Sequence, residues 1–379
     1  MMSNKTFFYT ENKQTRNLGD VLINKALIAL MREEGNICIL RNPQADEFSR
    51  EVGIQEDERM SARSFYLKMA SMAVKGRFVK KSSRHHVYIM GTPGGGGIVM
   101  RAGLISSGSK LIAAAFFKLL GIRVCGFGFS LHRTSLARAF FEYAYWNLAF
   151  FSCTRDLYSL TYLQDLGVRN IGKMPDLALY YGKEFQVETG RITRNPQKVV
   201  ISLRDCSDAE YPRYLEQVRS QVLGLLAELG GRYHVVFSYQ VDEDLETARK
   251  LLDDFEGYGA ILIEQKLDLQ GACELYGSAE IVITNRLHVM LLAAMSGVTP
   301  VGVGVWPLNQ KVEAFVKEEF YRELYLDATM PEAVSGYAGT VQAIKRYMTE
   351  RRPALEQYLK DQDALLHQAF KGCVEGHRA

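Results

Sequence analysis

The chain has 379 residues, 47% hydrophobic and 23% charged, with a formal net charge of +3. That length is too great for one ordinary core, and the composition excludes disordered, collagenous and membrane-spanning classes, so a two-domain globular protein is expected. The six cysteines form no CxxC and no His/Cys cluster at metal-ligand spacing, which points to a reducing cytosol and away from a disulfide framework or a structural zinc.

The opening MMSNKTFFYT has no basic, apolar and small-residue pattern of a secretory leader, so a cytoplasmic location is expected. In the first half, strand-like runs at Thr6–Thr10, Asn36–Leu40, His86–Met90, Arg123–Phe127 and Phe151–Thr154 alternate with helical patterns near 20–34, 60–80, 99–120, 134–149 and 156–166. The second half repeats the scheme: strands near 198–203, 233–238, 260–264, 280–284 and 300–305, helices near 211–229, 243–255, 269–277, 286–296 and 309–319. Val289 to Gln310 is uncharged and long enough for a bilayer, but Gly297, Pro300, Gly302, Gly304 and Pro307 break it into helix, turn and strand.

Such alternation predicts an α/β fold of two Rossmann-like domains, each a parallel sheet covered on both faces, with a central cleft. The polar join 181–197 places the N-terminal domain at 1–182 and the C-terminal one at 197–330, with a helical tail at 331–379. Ligands in such sheets bind beyond the carboxyl ends of the strands.

Charge is unevenly spread. From Arg59 to Phe141 there is no Asp or Glu against fourteen Lys and Arg, which leaves 3 − 14 = −11 for the remainder. A local positive field favours anionic partners such as phosphorylated substrates, anionic lipid or nucleic acid.

At the first strand end, NLGDVLINKAL places Asp20 as a helix N-cap or as a base facing the ligand. After the third strand, Gly94, Gly95, Gly96 and Gly97 expose backbone N–H groups to an anion or a close-packed substrate. This loop matches neither GxGxxG nor the P-loop, so neither a dinucleotide nor an NTP is signalled. Arg155 follows the fifth strand beside Asp156, a local cap or ion-pair partner, and Arg204 follows the strand KVVIS.

The stretch TNRLHVMLLAAMSGVTPVGVG carries the sharpest signal. With Asn285 as N-cap, Arg286 becomes the first helical residue and His288 the third. Two cationic groups at the positive end of a helix favour an anion: arginine supplies a rigid fork and histidine a proton donor that titrates near neutrality.

Taken in order, NLGDVLINKAL, GGGG, TRDLYSLTYLQDLGV…MPDLAL, VVISLRD and TNRLHVMLLAAMSGVTPVGVG with Lys311 downstream resemble the polysaccharide pyruvyl transferase family. One departure is VWPLNQK, where the family more often has a tyrosine ahead of the lysine. The resemblance implies a GT-B-like fold and transfer of the pyruvyl unit of phosphoenolpyruvate onto two hydroxyls of a sugar, often a lipid-linked surface-glycan precursor, as a cyclic ketal. It implies that Arg204, Arg286 and His288 surround phosphoenolpyruvate, with Arg155 and Lys311 as further donor ligands. His288 then serves as the acid and Asp20 as a candidate base. No cofactor beyond the donor, no metal and no nucleic acid are expected. A GT-B glycosyltransferase using a nucleotide sugar and a non-catalytic anion-binding protein are the rival readings.

The acid-free stretch 59–86 mixes Phe65, Leu67, Met69, Met72, Val74, Phe78 and Val79 with cations, as a helix lying on an anionic membrane would, or as a solvated basic face would.

Overall fold

The structure, a computed structural model, describes residues 4–10, 17–77, 85–95, 104–131, 135–230, 233–330 and 336–376. It divides into two compact units: Met1–Arg16, Asp20–Leu177 and Asp363–Ala379, and then Asn17–Gly19 with Ala178–Gln362.

In the first unit β1 (Lys5–Thr10), β2 (Asn36–Leu40), β3 (Arg59–Met60), β4 (His86–Met90), β5 (Gly94–Gly95), β6 (Arg123–Ser130), β7 (Phe151–Thr154) and β8 (Ile171–Lys173) form one sheet. Its order is β3-β2-β1-β4-β6-β7-β8, with β5 pairing β6, and every pairing is parallel. Phe7, Phe8 and Tyr9 are all fully buried, as expected of a strand covered on both faces. The covering helices are α1 (Leu18–Glu34), α2 (Asp46–Val52), α3 (Ala62–Arg77), α4 (Leu104–Leu119), α5 (Leu136–Leu148) and α6 (Leu157–Asp165). Strand order steps one way from β1 to β2 and the other way along β4, β6 and β7. Right-handed crossovers therefore put α3, α4 and α5 on one face and α1 on the other.

Helix α3 occupies much of the 59–86 stretch. Phe65, Met69 and Ala73 are buried against Phe8 and Val87 of the sheet, and Met72 packs beside them. Its apolar stripe thus serves the core, while Leu67 and Val74 are exposed.

In the second unit β9 (Lys198–Ser202), β10 (His234–Phe237), β11 (Ile261–Leu262), β12 (Ile281–Thr284), β13 (Thr299–Gly304) and β14 (Tyr325–Asp327) form a second parallel sheet of order β11-β10-β9-β12-β13-β14. Its helices are α7 (Gly182–Thr189), α8 (Tyr214–Leu229), α9 (Asp242–Leu252), α10 (Leu269–Gly277), α11 (Leu287–Met295), α12 (Gln310–Glu319) and α13 (Ala338–Arg346), together with the start of α14 (Leu355–Glu375), which is divided between the units at Asp363. Every residue of α11 from Val289 to Met295 is buried, which accounts for its unbroken apolar sequence. The division between units falls at Leu177/Ala178, ahead of the polar join, because α7 inside that join packs on α10 and α11.

The tail is helical, and from Asp363 onward it belongs to the first unit. There the Phe370 ring lies 4.9 Å from Phe127 and 6.1 Å from Phe7. The Tyr88 hydroxyl donates to the carbonyl of Val374 at 2.8 Å, and Cys153 and Cys373 bring their buried Sγ atoms to 3.0 Å.

Candidate functional site

Both sheets reverse their strand order once, between β1 and β4 in the first unit and between β9 and β12 in the second. At such a switch point neighbouring crossovers diverge to opposite faces, leaving a crevice at the strand ends where ligands bind. Arg204 follows β9, and Arg286 and His288 follow β12. Asp20 follows β1 on α1, and Gly94 follows β4.

In the second unit, Thr284 and Ser202 are register partners, and the Thr284 hydroxyl donates to the Ser202 carbonyl at 2.6 Å. The same oxygen accepts the backbone N–H of Arg286 at 2.9 Å. The expected helix start is off by one residue: Arg286 is the N-cap in extended conformation, Leu287 is the first helical residue and His288 the second. Asn285 does not cap, because its side chain is engaged elsewhere. Its Oδ1 accepts the N–H of Arg204 at 2.8 Å, and its Nδ2 donates to the Arg204 carbonyl at 2.7 Å and to the Tyr214 hydroxyl at 2.6 Å.

Tyr214, wholly buried, donates in turn to Asn309 Oδ1 at 2.8 Å, which also accepts the N–H of Val305 at 3.0 Å. Burial holds the Tyr214 hydroxyl well above its ordinary pKa, so it stays a donor. A Cβ on Gly304 would lie 2.3 Å from Asn309 Oδ1, so only glycine leaves room for this link. Asn309 leads into α12, where Lys311 sits in the first turn. One network of hydrogen bonds therefore runs from the Arg204 loop through the start of α11 to the residue ahead of α12.

The Arg286 guanidinium forms an ion pair with Asp244 of α9, which is buried to 0% exposure, and is itself only 12% exposed. Burial pushes the Asp244 carboxyl up, against the opposing pull of Arg286. Nearby, Ser202, Ser238 and Gln240 gather round the buried hydroxyl of Tyr276, whose pKa is pushed up to about 12 by burial. Arg204, by contrast, is exposed. The switch point thus offers one solvent-facing cation, one braced by a buried carboxylate, and a histidine in the first turn of a helix. That set suits a ligand with two anionic groups.

Asp20, where the first unit resumes, is the third residue of α1 and not its cap; just ahead of it Asn17 Oδ1 accepts the N–H of Gly19 at 3.0 Å. A Cβ built on Gly94 would stand 3.7 Å from Asp20 Oδ1 and 3.3 Å from Ile23. The glycine loop therefore begins against the Asp20 carboxylate, in positive-φ backbone at Gly94 (φ 109°) that favours glycine. Gly96 and Gly97 lie outside the described residues. Arg155 is buried: its Nη1 donates to Asp176 at 2.9 Å and its Nε to Ser130 at 2.7 Å. Asp156 is the cap of α6, accepting the Ser159 N–H at 2.7 Å. The aspartate of MPDLAL is thereby explained as the partner of Arg155.

Sequence reasoning missed Asp244, Tyr214 and Tyr276. Asp244 stands in the acidic first turn of α9 with Asp242 and Glu243, a pattern that also marks an ordinary helix start. Among the described residues no group of three His, Cys, Asp or Glu is placed to hold a metal. A surface depression of 1220 Å³ lies along α5, α6 and the loop entering β8, bordered by Arg169 and Lys173, at the edge of the first sheet and away from its β1/β4 switch point.

The fold is shared with several solved enzymes. A UDP-N-acetylglucosamine 2-epimerase from Rickettsia bellii superposes with a TM-score of 0.54 at 12% identity, covering 99% of this chain and 96% of its own. A putative UDP-N-acetylglucosamine 2-epimerase from Listeria monocytogenes gives 0.56 at 10% identity, covering 98% and 96%. The Neisseria meningitidis epimerase bound to UDP-GlcNAc gives 0.51 at 12% identity, covering 98% and 99%. These likenesses define a GT-B-like α/β fold with two Rossmann-like units and a helical C-terminal tail.

No protein of curated function matches the chain. The model of the polysaccharide pyruvyl transferase family matches residues 17–307, a span that includes Asp20, Gly94, Arg204, Arg286 and His288; the chain belongs to that family.

Proposed function

We propose that this protein transfers the pyruvyl unit of phosphoenolpyruvate onto two hydroxyls of a sugar, forming a cyclic ketal. The observation that carries the reading is that Thr284 and Asn285 tie the Arg204 backbone to the start of α11, which bears Arg286 and His288, at the switch point between β9 and β12. Phosphoenolpyruvate carries a phosphate and a carboxylate on one small frame, and two arginine forks match that pattern. Lys311, in the first turn of α12, is a further donor ligand. Arg155, already paired with Asp176, braces the end of β7 instead.

In this reading His288 delivers a proton to the methylene carbon, C3 of the donor, leaving C2 electron-deficient. A sugar hydroxyl adds to C2 and loses its proton, for which Asp20 is the assigned base. Phosphate then departs with the electrons of the C2–O bond, and the resulting oxocarbenium centre takes the second hydroxyl, whose proton is also lost. Of the two hydroxyl protons, one restores the acid and the other is carried off with phosphate or solvent. Both arginines favour the departing phosphate by holding its charge. The acceptor is a sugar or lipid-linked oligosaccharide precursor of a surface polysaccharide.

Incubation with phosphoenolpyruvate or with UDP-sugars, each with a panel of glycan acceptors, tests this reading. Acceptor-dependent phosphate release with a ketal on the product supports it. Release of UDP would replace it with nucleotide-sugar chemistry, and no turnover with either donor would leave an anion-binding protein.

A further inference from the structure

Helices α4 and α5 of the first unit lie side by side, on the same face of the sheet by the handedness of their crossovers. Each carries an apolar stripe that the protein does not cover. On α4 it is Ile112, Phe116 and Leu119; on α5 it is Leu136, Phe140 and Tyr143. Both stripes follow the same spacing, i, i+4 and i+7, which aligns side chains along one side of a helix. The exposures are large, 72% at Ile112, 56% at Phe116, 91% at Leu136 and 61% at Phe140.

Exposed apolar stripes on two neighbouring helices mark an interaction site, and the surrounding charge identifies the partner. Lys110 and Lys118 on α4 and Arg138 on α5 are exposed. The acid on these two helices is Glu142, which is buried and accepts the indole N–H of Trp146 at 2.6 Å. These two helices are therefore apolar and cationic on their outer side, and neither carries an exposed carboxylate. Against a second copy of itself, a two-fold contact would set like charges facing each other. Against anionic headgroups the same cations are attracted while the rings enter the acyl boundary.

We infer that the α4–α5 face is the surface by which this protein docks on an anionic lipid bilayer. This locates membrane contact on helices whose apolar stripes are exposed, in place of α3, whose stripe is buried on the sheet. Among the described residues no helix is long and apolar enough to cross a membrane, so the attachment is peripheral.

The test is cosedimentation with phosphatidylglycerol-containing vesicles and with phosphatidylcholine vesicles, with neither donor nor acceptor present, so that it succeeds or fails independently of pyruvyl transfer. The full chain is expected to sediment with anionic vesicles about tenfold more than with neutral ones and to be partly released by salt. F116E/F140E, both at solvent-exposed positions, should lose that binding about tenfold while keeping its circular dichroism and melting temperature. K68Q/K75Q on α3 should keep most of it. Absence of vesicle binding at low salt, or binding that survives F116E/F140E, overturns the proposal. So does a dimer that F116E/F140E converts to monomer in a protein that ignores vesicles, since the face is then a contact between copies.

Discussion

Asn285 grips the backbone of Arg204 at both its amide and its carbonyl, 2.8 and 2.7 Å away across 81 residues of chain. One side-chain amide thereby ties the loop after β9 to the end of β12 and sets where the Arg204 side chain begins. The Tyr214 hydroxyl takes the remaining amide hydrogen, so the group is satisfied throughout. Replacing Asn285 by Ala leaves the Arg204 backbone groups without this partner and should cost about 1–3 kcal/mol of stability. Chemical denaturation reads the stability, and calorimetry with phosphoenolpyruvate should show weaker binding although Asn285 carries no charge. Unchanged stability and affinity would remove this lock from the site.

Tyr214→Phe keeps the ring in the core and deletes only the hydroxyl that joins Asn285 to Asn309. A loss of about 1 kcal/mol is expected, with KM for the donor rising more than kcat falls, because positioning is lost and the acid is not. Steady-state kinetics separates the two terms.

Asp244 and Arg286 form a buried pair, so removing one partner strands the other. Asp244→Ala should cost about 3–5 kcal/mol, and Asp244→Leu combined with Arg286→Met should recover much of that stability while abolishing donor binding. Arg286→Lys should not restore binding, since a point charge cannot replace the fork.

The Asp244 carboxyl also has a pH signature. Its folded pKa lies above the unfolded value, so in the intervening window the native state binds the proton more tightly. Its contribution to stability is therefore greatest below the unfolded pKa and declines as pH rises through that window. Denaturation of wild type against Asp244→Asn across the acid range should show this component only in the wild type.

His288→Asn preserves a polar group in the first turn of α11 but cannot deliver a proton to carbon. Turnover should fall by roughly 10²-fold or more while phosphoenolpyruvate binding persists. A folded variant with near-normal kcat would move the acid elsewhere.

Phe370 of the final helix packs on Phe7 and Phe127. Phe370→Ala should cost about 3–5 kcal/mol in thermal or chemical unfolding, and truncation before Asp363 should expose that face of the first sheet and cause aggregation.

Much of this architecture is local information. The runs Asn36–Leu40, His86–Met90 and Phe151–Thr154 are strands with the bounds that their apolar pattern predicts, because burial on both faces of a parallel sheet is written continuously into each strand. The starts of the longer helices were legible to within a few residues from their apolar period, whereas the short α2 and α7 carry no clear period; the placing of Arg204, Arg286 and His288 at strand ends followed from the strands and longer helices. The strands β3, β5, β8 and β14 carry two or three residues each; nothing in so short a run distinguishes strand from loop until a neighbour supplies hydrogen bonds. The role of Asn285 was misread because a helix cap is the nearest use for an asparagine, whereas its real partners, Arg204 and Tyr214, are 81 and 71 positions away. Asp244 likewise meets Arg286 across 42 positions. The pattern of apolar residues decided which segments become strands and helices, since each segment's own burial imposes its period. Which polar side chain meets which was decided only when the parallel sheet brought distant strand ends together, because no local period encodes that return.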